Sequence, residues 1–183
     1  MTQYGSIIAG KDLERYFYLL HAGWEFHALF NDSSEVNERA IAIVGASFLD
    51  TQLEHMLINF FVSDEREVQK LLQPERPIGT FGSRTTLAYC LGLIGKVIRD
   101  DLRLVAKIRN RFAHRLEASF DDEPIRSWCL ALKWHEIGMV MKAPEGATTG
   151  DIFQVGVNQL ICHLSGLVGL ARLDRRQIYP TSD

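Results

Sequence analysis

Residues 40–62 constrain the fold of this chain more than any other stretch: they form a long apolar run interrupted by Asp50, Glu54 and His55. Three titratable side chains inside such a run fit a buried helix of a soluble protein better than a membrane span. A helix of that kind must be covered by other elements on most of its sides. Elsewhere, apolar residues recur at helical steps and few segments alternate with a period of two. The pattern predicts an all-α bundle of five or six helices. Residues 1–183 read as a single domain, with a core over about 11–135 and a C-terminal helix over about 151–173, packed on that core or at a subunit interface.

The first predicted helix spans residues 11–30, where Leu13, Tyr16, Phe17, Leu20, Trp24 and Leu29 follow three- and four-residue steps. Asp32 followed by Glu35 has the form of a capping box for a second helix reaching about Val62. A short helix over 64–73 ends at Pro74. The next is expected from Phe81 to Leu93, capped near Gly95, and another from about Asp100 through Arg115. Asp121 and Asp122 ahead of Pro124 predict a short helix over about 123–133. Residues 143–150 are the most linker-like segment, after which Asp151 is expected to cap the last helix.

The 20 basic and 23 acidic residues give a net charge of −3, which argues against a protein that coats nucleic acid through bulk charge. Cys90, Cys129 and Cys162 are odd in number and form no CxxC pair, so neither a disulfide framework nor a structural zinc site is expected. Met1–Gly10 lacks a basic segment followed by an apolar run. The expectation is a cytoplasmic protein with no membrane segment, metal or cofactor.

Charge is distributed unevenly along the chain. Residues 102–116 contain Arg103, Lys107, Arg109, Arg111 and Arg115 and no acid. At about 100° per residue, Leu104, Val105, Ile108, Phe112 and Leu116 gather in an arc of about 120°, the predicted core stripe. Arg109 falls just beyond one edge of this arc, and Asn110 and His114 lie well away from it. Ala106 and Ala113 lie between Arg109 and His114 on the wheel, and a second helix or subunit can approach closely over such small residues. A plain solvated basic face is the alternative.

The run Arg109-Asn110-Arg111-Phe112-Ala113-His114 resembles the Arg–polar–x–x–x–His motif of the HEPN superfamily of small helical proteins. Pro77-Ile78-Gly79-Thr80-Phe81-Gly82-Ser83-Arg84, Leu87–Ile94 and Phe120–Glu123 resemble the branch that contains the mannitol operon repressors. The resemblance covers roughly residues 35–135. Members of that branch need not keep the Arg and the His, whereas this chain has both. It implies a HEPN-like bundle and a metal-independent endoribonuclease, acting as a toxin or phage-defence effector. It further implies a homodimer with a composite active site, RNA as substrate, and an antitoxin or other regulatory protein as partner. The alternative is a non-catalytic, mannitol-repressor-like regulator, or a module that binds RNA or protein.

Arg109, Asn110 and His114 would then be catalytic. RNA carries its own nucleophile in the 2′-OH, so cleavage needs proton transfer and stabilisation of phosphate charge. Histidine titrates near neutrality and arginine offers a planar set of donors to phosphate oxygens. Lys107 and Arg111 are supporting cations. Asp50 or Glu54 would hold Arg109 or His114 in place, Glu54 being the better placed; otherwise they pair with Arg84 or Arg39 or are simply exposed. Trp128, Trp134 and Tyr89 are candidates for base stacking or, more ordinarily, for the core. Gly79–Gly82 and Gly92–Lys96 read as helix-end and packing glycines, and Asp174-Arg175-Arg176 as a solvated end.

Overall fold

The computed structural model describes residues 37–137 and 143–180, together with Phe26. Every regular element among the described residues is a helix: α1 (Glu38–Phe60), α2 (Glu65–Leu72), α3 (Phe81–Cys90), α4 (Lys96–His114), α5 (Ile125–Leu130), α6 (Trp134–Ile137) and α7 (Thr149–Leu173). The expected all-α bundle is observed. The helix expected over 11–30 lies outside the described residues, apart from Phe26, which is helical and fully buried.

α1 is apolar around most of its circumference. Ile41, Leu49, Leu53, Met56 and Leu57 are buried, and Ile43, Val44 and Phe48 are half-buried. It packs along α7 and also meets α4, α3 and α2. Gly45 marks the close approach of the two long helices, because a Cβ there would lie 2.9 Å from Cγ1 of Val157. Both α1 and α7 are long and apolar enough to cross a membrane, but about half of each apolar window is packed inside the bundle. Phe112 of α4, Phe120 of the following loop and Phe153 of α7 join the layers, with ring centroids 4.8 and 5.0 Å apart.

Helix ends depart from expectation where tertiary contacts supply the partner. α1 is capped by Asn37, whose side chain accepts from the Ala40 N–H. Asp32 and Glu35 lie outside the described residues. α3 stops at Cys90, before the positive-φ residue Gly92, and Gly95 is the N-cap of α4 instead of the end of α3. Asp121 and Asp122 do not cap α5 with their side chains. Asp121 accepts from the Thr149 hydroxyl and Asp122 from the Ser119 N–H, while Pro124 holds the N-cap position. Asp151 closes a capping box whose N-cap is Thr148. α6 is a single turn whose start is held by a neighbour: buried Asp101 of α4 accepts from the N–H groups of Lys133 and Trp134, at 2.9 and 2.8 Å.

Asp174 and Arg176 are exposed, as expected of a solvated end, but the segment is anchored to the end of α1. The Arg176 N–H donates to the Phe60 carbonyl at 2.8 Å, Arg175 Nε donates to that of Asn59 at 3.0 Å, and the Arg176 guanidinium lies over the Phe60 ring. These groups meet the carbonyls left open where α1 ends.

Phe120→Ala removes the central ring of the Phe112–Phe120–Phe153 stack and should cost about 3–5 kcal/mol in urea unfolding. His163 stacks on Trp134 with centroids 4.5 Å apart, and burial lowers its pKa below the usual 6.5. The unfolded chain therefore takes up this proton first, so stability falls as pH drops through the unfolded value. Wild type should lose more melting temperature between about pH 7.5 and about pH 5.5 than His163→Phe does.

Candidate functional site

α4 is oriented by its apolar stripe. Leu102, Val105, Ile108 and Phe112 are fully buried, and Leu104 is half-buried against the same core. Leu116 does not continue the stripe. The helix ends at His114, and Leu116 stands 92% exposed beyond it. Burying this face turns Arg103, Lys107, Arg109, Asn110, Ala113, His114 and Arg115 outward, all of them exposed, with Arg111 half-exposed.

Arg39 of α1 holds the C-terminal end of α4. Its guanidinium donates to the carbonyls of Phe112 and Arg115, and to that of Leu116 at 2.8 Å. A cation on these open carbonyls also complements the helix dipole. Nothing in the local sequence points to this role, because the partners lie more than seventy residues away.

Arg109, Asn110 and His114 are distributed over three neighbouring concavities, two of which His114 lines. Arg109 and Asn110 line a cleft of about 290 Å³ with Ser47 and Asp50 of α1, Thr80 and Gly82 at the start of α3, and Ala106 beneath. Arg109 Nη1 donates to Asn110 Oδ1 at 2.9 Å. His114 lines a more open concavity of about 400 Å³ with Lys107, Arg111, Arg115 and Trp128, and Asn110 borders this one too. Asn110 thus divides Arg109 from His114 within one chain.

Asp50 and Glu54 are engaged by Arg84. Its guanidinium lies 2.7 Å from Asp50 Oδ1 and 3.2 Å from Glu54 Oε2, and it donates to the Leu72 carbonyl at 2.7 Å. Arg84 is almost fully buried and the two carboxylates about two-thirds buried. Of the expected alternatives, pairing with Arg84 is the one observed. Asp50 still faces the cleft that holds Arg109. Of the three aromatics, Trp134 is stacked on His163 and Tyr89 lies under the Arg99 guanidinium. Trp128 borders the His114 concavity, with Lys107 Nζ 5.9 Å from its ring centroid.

Gly79 is a packing glycine, since a Cβ there would meet the Gln73 carbonyl at 2.3 Å. The three cysteines are free, and burial pushes the Cys129 thiol up to about 12, outside the range of a reactive thiolate.

No family model matches the chain, and no curated protein matches it. Among solved structures it is similar to a chain of the MtlR–HPr complex from Escherichia coli, with a TM-score of 0.56 and 19% identity. The match covers 82% of this chain and 98% of that one. At this identity the likeness establishes the fold alone. It does not bear on the Arg–polar–x–x–x–His motif.

Arg84→Met should destabilise the bundle by about 2 kcal/mol, less than a fully buried pair because the carboxylates keep some solvent. Adding Asp50→Asn and Glu54→Gln should recover part of that loss. Chemical denaturation of the single and triple variants measures both effects.

Proposed function

We propose that this protein is a non-catalytic regulator that works by binding another protein. The observation that carries the reading is the fold match, which spans 98% of a chain solved in complex with HPr. A second support is geometric. Proton transfer and phosphate stabilisation at one phosphodiester need the acid–base group and the cation around one substrate atom. Within a single chain, Arg109 and His114 open onto separate concavities on either side of Asn110.

A ribonuclease is the second reading, favoured by the exposure of Arg109, Asn110 and His114 and of the small residue Ala113. In this reading two copies meet over α4 and supply the missing half of each site, with Lys107 and Arg111 assisting on phosphate. RNA would be cleaved by its own 2′-OH without a metal, in the service of a toxin or defence role.

The readings separate in one pair of experiments. Calorimetric titration with E. coli HPr as probe should show binding to the purified protein. Single-stranded RNA incubated with the protein should remain intact. Cleavage that persists in EDTA and disappears in both Arg109→Ala and His114→Ala would replace the regulator by the ribonuclease.

A further inference from the structure

Arg103, Lys107, Arg111 and Arg115 recur at every fourth position of α4 and its C-cap. On a helix this spacing forms a slanting row with about 6 Å of rise per step. Among the described residues, none of the four pairs with a carboxylate. Lys107, Arg111 and Arg115 border one concavity, walled by Trp128. The row ends at Leu116, a large apolar side chain that is 92% exposed.

An exposed leucine is common, but this one is held. Arg39 binds the backbone carbonyls of Phe112, Arg115 and Leu116, so the backbone of the residue that carries the apolar side chain is held by a side chain of α1. A pre-positioned apolar anchor beside unpaired cations is the arrangement that protein interfaces use, because little ordering entropy is left to lose on binding.

We infer that the C-terminal half of α4, with Trp128 and Leu116, is a docking surface for an acidic protein segment that presents carboxylates to the cation row and an apolar pocket to Leu116. Charge complementarity sets the sign of the partner. A nucleic-acid strand fits less well, because Leu116 shares the next concavity with Glu117, Asp122 and Glu123 as well as with Arg111, His114 and Arg115. A phosphate backbone carries charge at every step and would bring it past those three carboxylates, whereas a protein segment can place its carboxylates on the row and an uncharged pocket at Leu116. This surface rests on the protein-binding reading and names the chemistry of the partner.

The test uses the full chain and a labelled helical peptide of about 20 residues, with glutamate at every fourth position and leucines flanking one end. Fluorescence anisotropy at about 0.15 M salt should show binding. Lys107→Glu with Arg111→Glu should weaken it about tenfold or more, and Leu116→Ser about threefold to fivefold. Arg66→Glu, on the remote α2, should leave it unchanged, and circular dichroism should show all variants folded.

Absence of peptide binding overturns the inference, as does equal weakening by Arg66→Glu. Tighter binding of a single-stranded RNA of the same length, lost in the Lys107/Arg111 double variant but indifferent to Leu116→Ser, would reassign the surface to nucleic acid. HPr titrated into the same variants separates the two levels. Binding of HPr that the double variant leaves unchanged overturns this surface while the regulator reading stands. Peptide binding without HPr binding supports the surface and leaves the choice of HPr as partner refuted.

Discussion

α1 has too little polar surface to lie at the edge of anything, and the rest of the bundle is arranged to cover it. α7 takes one side, drawn close at Gly45, and α4 and α3 take the others. Burial of so many aliphatic side chains is the main favourable term in such a fold. It also creates a difficulty at the one polar strip of α1, where Asp50 and Glu54 face neighbouring helices. Arg84 resolves it by meeting both carboxylates and the Leu72 carbonyl with one planar group. A lysine, with a single charged nitrogen on a flexible stem, could not span those three acceptors in the same way.

Guanidinium groups connect this protein elsewhere too. Arg39 gathers the last carbonyls of α4, and Arg175 does the same at the end of α1. Both of these helix ends carry open acceptors, and both are met by an arginine from a distant part of the chain. The consequence for function lies on α4. Its apolar stripe is locked into the core, its end is held by Arg39, and among the described residues Arg103, Lys107, Arg111 and Arg115 have no carboxylate partner. A surface so arranged is rigid and charged before any partner arrives, which lowers the entropic cost of binding.

Much of this was legible in the residues themselves. The periodicity of 40–62 and 102–116 located α1 and α4, and Pro74 marked the end of the short helix α2. Helical wheels also separated Phe112 from His114, and the structure buries the first and exposes the second. Other features were not legible, for identifiable reasons. Leu116 has the right angular position for the core stripe, but the chain leaves the helix at Arg115, after which the wheel has no meaning. Asp121 and Asp122 have the composition of caps, yet one is drawn to Thr149 and the other to the turn at Ser119. Asp101 caps a helix that begins thirty-three residues later, and no local pattern announces that.

The amino-acid order by itself determined that the chain is helical, that one basic helix stands apart from an otherwise acidic protein, and that Arg109, Asn110 and His114 share its outer side. These are consequences of spacing along one helix, where 3.6 residues per turn decides which side chains share a face. Only the tertiary structure decided which side chains line one concavity. Whether Arg109 opens toward Asp50 or toward His114 depends on how α1, α3 and α5 pack around α4, and that packing is set by side-chain volume across helices that are distant in sequence.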